Sequence, residues 1–89
     1  MYQYICETNK DVNAEVRLYR EEQNAKDAVK SCYEDYVESG EYVPADKYAI
    51  QDAKKEFKDS DETAFTIRLE DDEILSCHIE ETDFYDDMY

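Results

Sequence analysis

The sequence predicts an α+β domain: a small antiparallel sheet laid down in the order β-β-α-α-β-β, with two helices packed on one face. Three observations lead there. Alternating apolar runs lie at both ends of the chain, a helical apolar period runs from residue 25 to residue 37, and a shorter period follows the single proline, Pro44.

"YQYICET" (Tyr2 to Thr8) and "AEVRLYR" (Ala14 to Arg20) are β-type runs joined by the turn-like "NKDVN", and they read as a hairpin with Val16 and Leu18 on one face. The stretch "AEVRLYREE" is also compatible with the first turn of the following helix. From Glu21 onward Ala25, Ala28, Val29, Cys32, Tyr33, Tyr36 and Val37 fall on one helical face. That stripe stops at "ESGE", where Gly40, the only glycine, is placed to end the helix. Pro44 and Asp46 mark a second helix start, and Ala49, Ile50, Ala53 and Phe57 supply its apolar stripe. Then come "TAFTIRLE" and "ILSCHIEE" around "EDDE". With Phe65, Ile67 and Leu69 facing Leu75, Cys77 and Ile79, the register pairs positions whose numbers sum to 144 and makes Asp71, Asp72 and Glu73 a three-residue turn.

Eighty-nine residues make one compact domain over 1–89, with the last six or so, by about one turn of chain, expected to fray. Leu, Ile, Val and Phe number only 16 of 89 at a net charge of −15, a balance found in disordered chains. Nine tyrosines and the regular periods above argue for a folded domain instead. No basic segment leads into an apolar one at the start, and no apolar run is long enough to span a membrane, so a soluble cytoplasmic protein is expected. Cys6, Cys32 and Cys77 are an odd set without C-x-x-C spacing, which suggests reduced thiols and neither a disulfide framework nor a zinc knuckle. Cys32 and Cys77 fall on apolar stripes and read as small hydrophobes.

Charge is distributed unevenly. Residues 1–58 carry 13 acidic and 9 basic side chains, whereas residues 59–89 carry 12 acidic ones against Arg68 alone. The expected register places Asp59, Asp61 and Glu62 beside Glu80, Glu81 and Asp83, with Asp86 and Asp87 beyond. Glu70, Asp71, Asp72 and Glu73 lie at the other end, about 20 Å away at the usual strand rise. Phe84 and Tyr85 sit among the tail acids, a mixture common at protein interfaces.

The sequence holds no Gly-rich phosphate loop, no nucleophile elbow and no H-E-x-x-H, and His78 is the lone histidine, on an outward position. Neither an enzyme nor a cofactor is expected. Direct nucleic-acid binding is disfavoured, because ten bases face twenty-five acids. The "DSDE" and "EETD" segments offer hard-cation ligands, although neither follows the EF-hand order.

In size, charge and expected topology, with "KDSDE", "LEDDE" and "EETDFYDDMY" as the residues that carry the likeness, the chain resembles the small acidic inhibitors encoded by phages and mobile elements: the anti-CRISPR and antirestriction DNA mimics. No family motif accompanies the resemblance. It implies a stoichiometric, non-enzymatic blocker, monomeric or dimeric through an open strand edge, that fills a basic nucleic-acid site of a CRISPR effector or restriction nuclease in a bacterial host. The acids named above, with Phe84 and Tyr85, are then the partner-binding residues. Two other readings stand beside it: a structural adaptor for a basic protein surface unrelated to nucleic acid, and a carboxylate-rich domain for divalent cations.

Overall fold

The computed structural model describes residues 1–82, which form β1 (Tyr2–Thr8), β2 (Glu15–Tyr19), α1 (Glu22–Tyr33), α2 (Lys47–Asp59), β3 (Ala64–Arg68) and β4 (Ile74–Glu81) in the expected order. The strands pair antiparallel in one sheet of order β2-β1-β4-β3. Both helices pack on one face of it, α1 over β1 and β4 and α2 over β3. Among the described residues no helix is long and apolar enough to cross a membrane.

Alternation decides which strand residues are buried. Tyr4 of β1, Phe65 and Ile67 of β3, and Leu75 and Cys77 of β4 point under the helices and are buried. Ala25, Val29, Cys32 and Tyr33 of α1 and Ala49, Ala53 and Phe57 of α2 meet them. Aromatic rings supply the volume that the scarce aliphatics do not. Tyr33 stacks on Phe57 with centroids 3.9 Å apart, and Phe65 meets Tyr33 edge-on at 5.5 Å. The stripe read for the first helix continues past α1 through a π-helical turn, Glu34–Glu38, closed by the Ser39 N–H on the Glu34 carbonyl at 2.9 Å. Gly40 follows with φ +79°, the left-handed conformation that glycine adopts without a Cβ clash.

The register of the second hairpin differs from the expected one by two residues. Phe65 lies opposite Cys77, Ile67 opposite Leu75 and Arg68 opposite Ile74, so paired positions sum to 142. A slip of two leaves every side chain on its own face, which is why alternation does not detect it. The turn sets the register. Asp71 and Asp72 both have positive φ, the Glu73 N–H reaches the Glu70 carbonyl, and the Leu69 N–H donates to the Glu73 carbonyl at 2.7 Å. The turn is therefore Glu70–Asp72, and on the β3 side Ile79 lies beside Thr63, to whose carbonyl its N–H donates at 3.2 Å, rather than beside Phe65.

Pro44 bridges to Leu69, and the Ala45 N–H donates to the Arg68 carbonyl, so the chain entering α2 covers the end of β3. Asp46 then caps α2. Its Oδ1 accepts from the N–H groups of Tyr48 and Ala49 at 2.9 and 3.0 Å, while Arg68 Nη1 donates to Oδ2 at 2.8 Å. The Arg68 hydrogen bond, with the cap N–H groups adding to it, holds the Asp46 carboxyl below the usual carboxylate range. A lowered native value means that the ionised form is the stabilising one. Its contribution is complete above the unfolded value of about 3.9 and is lost as pH falls through the native value. Asp46→Asn, which keeps the cap acceptor, should melt a few degrees below the parent at pH 7. The gap should close as pH drops below about 3.9, and calorimetry across that range reads it directly. A gap that stays constant with pH would contradict the ion pair.

Candidate partner-binding surface

The acids of the last third lie at two ends of the β3–β4 hairpin. At one end Asp59 closes α2, Asp61 and Glu62 follow it, and Glu80 and Glu81 end β4. At the other, Glu70, Asp71, Asp72 and Glu73 form the turn and its flanks. Asp83, Phe84, Tyr85, Asp86 and Asp87 lie outside the described residues.

The two ends are not electrostatically equal. Asp61 meets Lys26 at 3.3 Å, Asp59 meets Lys55 at 3.2 Å, and Glu80 meets His78 at 3.2 Å. Lys30, Lys54 and Lys58 also line one cavity of about 470 Å³ together with Asp61 and Glu62. The lysines of both helices thus gather at the first end and offset it. Among the described residues no ion pair reaches Glu70, Asp71, Asp72 or Glu73. Arg68, the single Lys or Arg of this third, is held by Asp46 and by Asp52 at 3.1 Å and lines one cavity with Glu70, Asp71, Asp72 and Glu73 without an ion pair to any of them. At the first end Glu62 and Glu81 likewise make no ion pair among the described residues; the turn is where four adjacent acids all lack one.

Both acidic ends rest on the same unusual backbone. Asp61 and Glu62 have φ of 58° and 64°, and Asp71 and Asp72 have 63° and 61°. The left-handed region costs an L-residue roughly 1 kcal/mol; Gly escapes the penalty, and Asn and Asp are the side chains that tolerate it best. Glu62 is the one of the four whose side chain has no local reason to favour this region; the three aspartates are compatible with it.

Three features were hidden in the sequence. Val16 and Leu18 do share a face, but it is the one away from the helices: Ile5 pairs with Val16, and Leu18 lies beside Gln3. Val16 and Leu18 are 49% and 48% exposed. On the same face Thr66 and Ser76 pair, and His78 stands outward as alternation requires.

The second feature is the sulfur atoms. Cys32 and Cys77, read as small hydrophobes, converge with Cys6, the three Sγ atoms all within 4.8 Å of one another and Cys6 3.7 Å from Cys32. Cys6 and Cys77 are cross-strand partners of β1 and β4, and Cys32 descends from α1. Inward periodicity marks Cys32 and Cys77; only the β1–β4 pairing brings in Cys6. The three thiols are coupled, so each proton lost changes how firmly the next is held. Hydrogen bonds from Cys32 and then Cys77 lower the Cys6 thiol to about 3. The hydrogen bond to Cys6 pushes Cys32 up to about 12, and those to Cys32 and Cys6 push Cys77 up. Burial raises the neighbouring Tyr4 hydroxyl.

The third feature is what the cation reading needs and the structure does not supply: among the described residues the cysteines are the one set of three ligand side chains that converges, and the acids of residues 59–62 and 80–81 do not. Comparison of the chain with protein-family models, characterised proteins and solved structures finds no match.

Proposed function

We propose that the protein is a non-enzymatic inhibitor that offers acidic patches to a basic nucleic-acid-binding site of a bacterial defence protein, a CRISPR effector or a restriction nuclease, and occupies it in place of nucleic acid. The observation that supports this most is the Glu70–Glu73 turn. Four consecutive carboxylates, none of them in an ion pair among the described residues, stand at the tip of a hairpin. A cationic groove built for phosphates meets comparable charge density there, since duplex nucleic acid carries one charge per roughly 1.7 Å of axis. The second acidic end, about 20 Å along β4, corresponds to some six base-pair steps at about 3.4 Å each. Long-range attraction at a net charge of −15 speeds the encounter.

The immobilised protein should capture a basic partner from a bacterial lysate at low salt, and duplex DNA or guide RNA should elute it. A captured partner that nucleic acid leaves in place would contradict mimicry. That outcome would favour the adaptor reading, for which the open apolar face of Ile5, Val16 and Leu18 supplies contact area.

A further inference from the structure

We infer that Cys6, Cys32 and Cys77 form a three-thiolate site for Zn²⁺, with the fourth coordination position open to the cavity beside them. The geometry carries the assignment. Tetrahedral Zn²⁺ with Zn–S bonds of about 2.3 Å sets its sulfurs about 3.8 Å apart. The Cys6–Cys32 separation is already 3.7 Å, and the remaining pairs lie within 4.8 Å. Seating the ion requires shifts of an ångström or less in side chains held by three different elements. No disulfide joins any of the three.

The surroundings suit a metal rather than a packing role. A cavity of about 260 Å³ opens on Cys6 and Cys32 and is lined further by Tyr4, Arg17, Asp35 and Tyr36. An ion therefore has an entry path, and water or a small ligand has room at its fourth position, the arrangement of zinc sites with three protein ligands. Tyr4 is buried on the same inward face as Cys6 and lines the cavity with it. At the mouth Arg17, its guanidinium carbon 5.3 Å from the centre of the Tyr4 ring, is paired with Glu15.

Ligand type and charge select the ion. Thiolates are soft and disfavour Ca²⁺ and Mg²⁺. Three thiolates leave a net −1 with Zn²⁺ and −2 with Cu⁺, and a buried site in an acidic protein takes the smaller charge. His78 cannot complete the set, because it lies on the opposite face of the sheet.

The test uses the full, reduced chain. Zn²⁺ should bind in a 1:1 ratio and raise the melting temperature with concentration. Co²⁺, as a spectroscopic stand-in, should give sulfur-to-metal charge-transfer bands in the near ultraviolet. Cys6→Ser, at the half-buried and therefore most tolerant position, should weaken Zn²⁺ binding by more than about 100-fold and remove those bands. Thiol alkylation of the unaltered protein gives a readout independent of any variant's folding: Zn²⁺ should shield all three cysteines, and chelation should restore the reactivity of Cys6. Binding that survives Cys6→Ser, Co²⁺ spectra without thiolate bands, or alkylation rates unchanged by Zn²⁺ would each overturn the site.

Discussion

Replacing Phe65 with alanine is expected to destabilise the fold by about 3–5 kcal/mol. In a domain this size that is a fall in Tm of roughly 15 °C or more. Phe65 is fully buried and lies where β3, α1 and α2 meet, edge-on to both Tyr33 and Phe57. Truncation removes the ring that those two pack against and leaves a cavity that neither a strand nor a helix end can easily fill. Total stabilities of small domains run about 5–15 kcal/mol, so the variant should sit near the edge of folding. Phe65→Leu, which keeps most of the volume, should retain a cooperative transition at lower temperature. Val16→Ala supplies the contrast. Its side chain is half exposed on the open face, and its loss should cost no more than about 0.5 kcal/mol. Urea or thermal denaturation measures all three, and equal costs for Phe65→Ala and Val16→Ala would contradict the assignment of the two sheet faces.

Neutralising the β3–β4 turn should separate stability from binding. The combined variant Glu70→Gln, Asp71→Asn, Asp72→Gly and Glu73→Gln removes four charges and puts Asn-Gly at the two left-handed positions, the pair that such turns favour. Relief of backbone strain and of repulsion among adjacent acids both act in the same direction, so the melting temperature should rise by a few degrees. The association rate with the captured partner should fall by about tenfold or more, with a shallower dependence on salt. A tighter fold that binds less well is the signature of residues retained for a partner. An unchanged association rate would remove the turn from the interface and leave the acids as solubilising charge.

Periodicity made the elements legible. The stripe from Ala25 to Val37 marks the first helix, the Pro44–Asp46 start marks the second, and alternation in both terminal segments places the strands in their observed order. Where two arrangements share one pattern, the pattern is silent. The two-residue slip in the second hairpin preserves every face, and only the backbone of Asp71 and Asp72 distinguishes the registers. Val16 and Leu18 alternate as well for an open face as for a covered one, and the covering helices alone decide between them. Charge counts locate the acids without locating their counterions. Lys26 comes from a helix that only the tertiary fold brings to Asp61, and Lys55 reaches Asp59 one turn along α2, so a segment that is strongly acidic in sequence is partly compensated in space. The sulfur cluster fails to show for the same reason. It depends on β1 and β4, separated by most of the chain, lying side by side.

Competition between this protein and a labelled duplex for the purified partner tests the proposed mimicry most directly. Occupation of the nucleic-acid site requires the apparent Kd of the duplex to rise in proportion to the concentration of the protein, without saturation, and requires the turn-neutralised variant to need a correspondingly higher concentration. A ternary complex of partner, duplex and protein, with the duplex affinity unchanged, would contradict it.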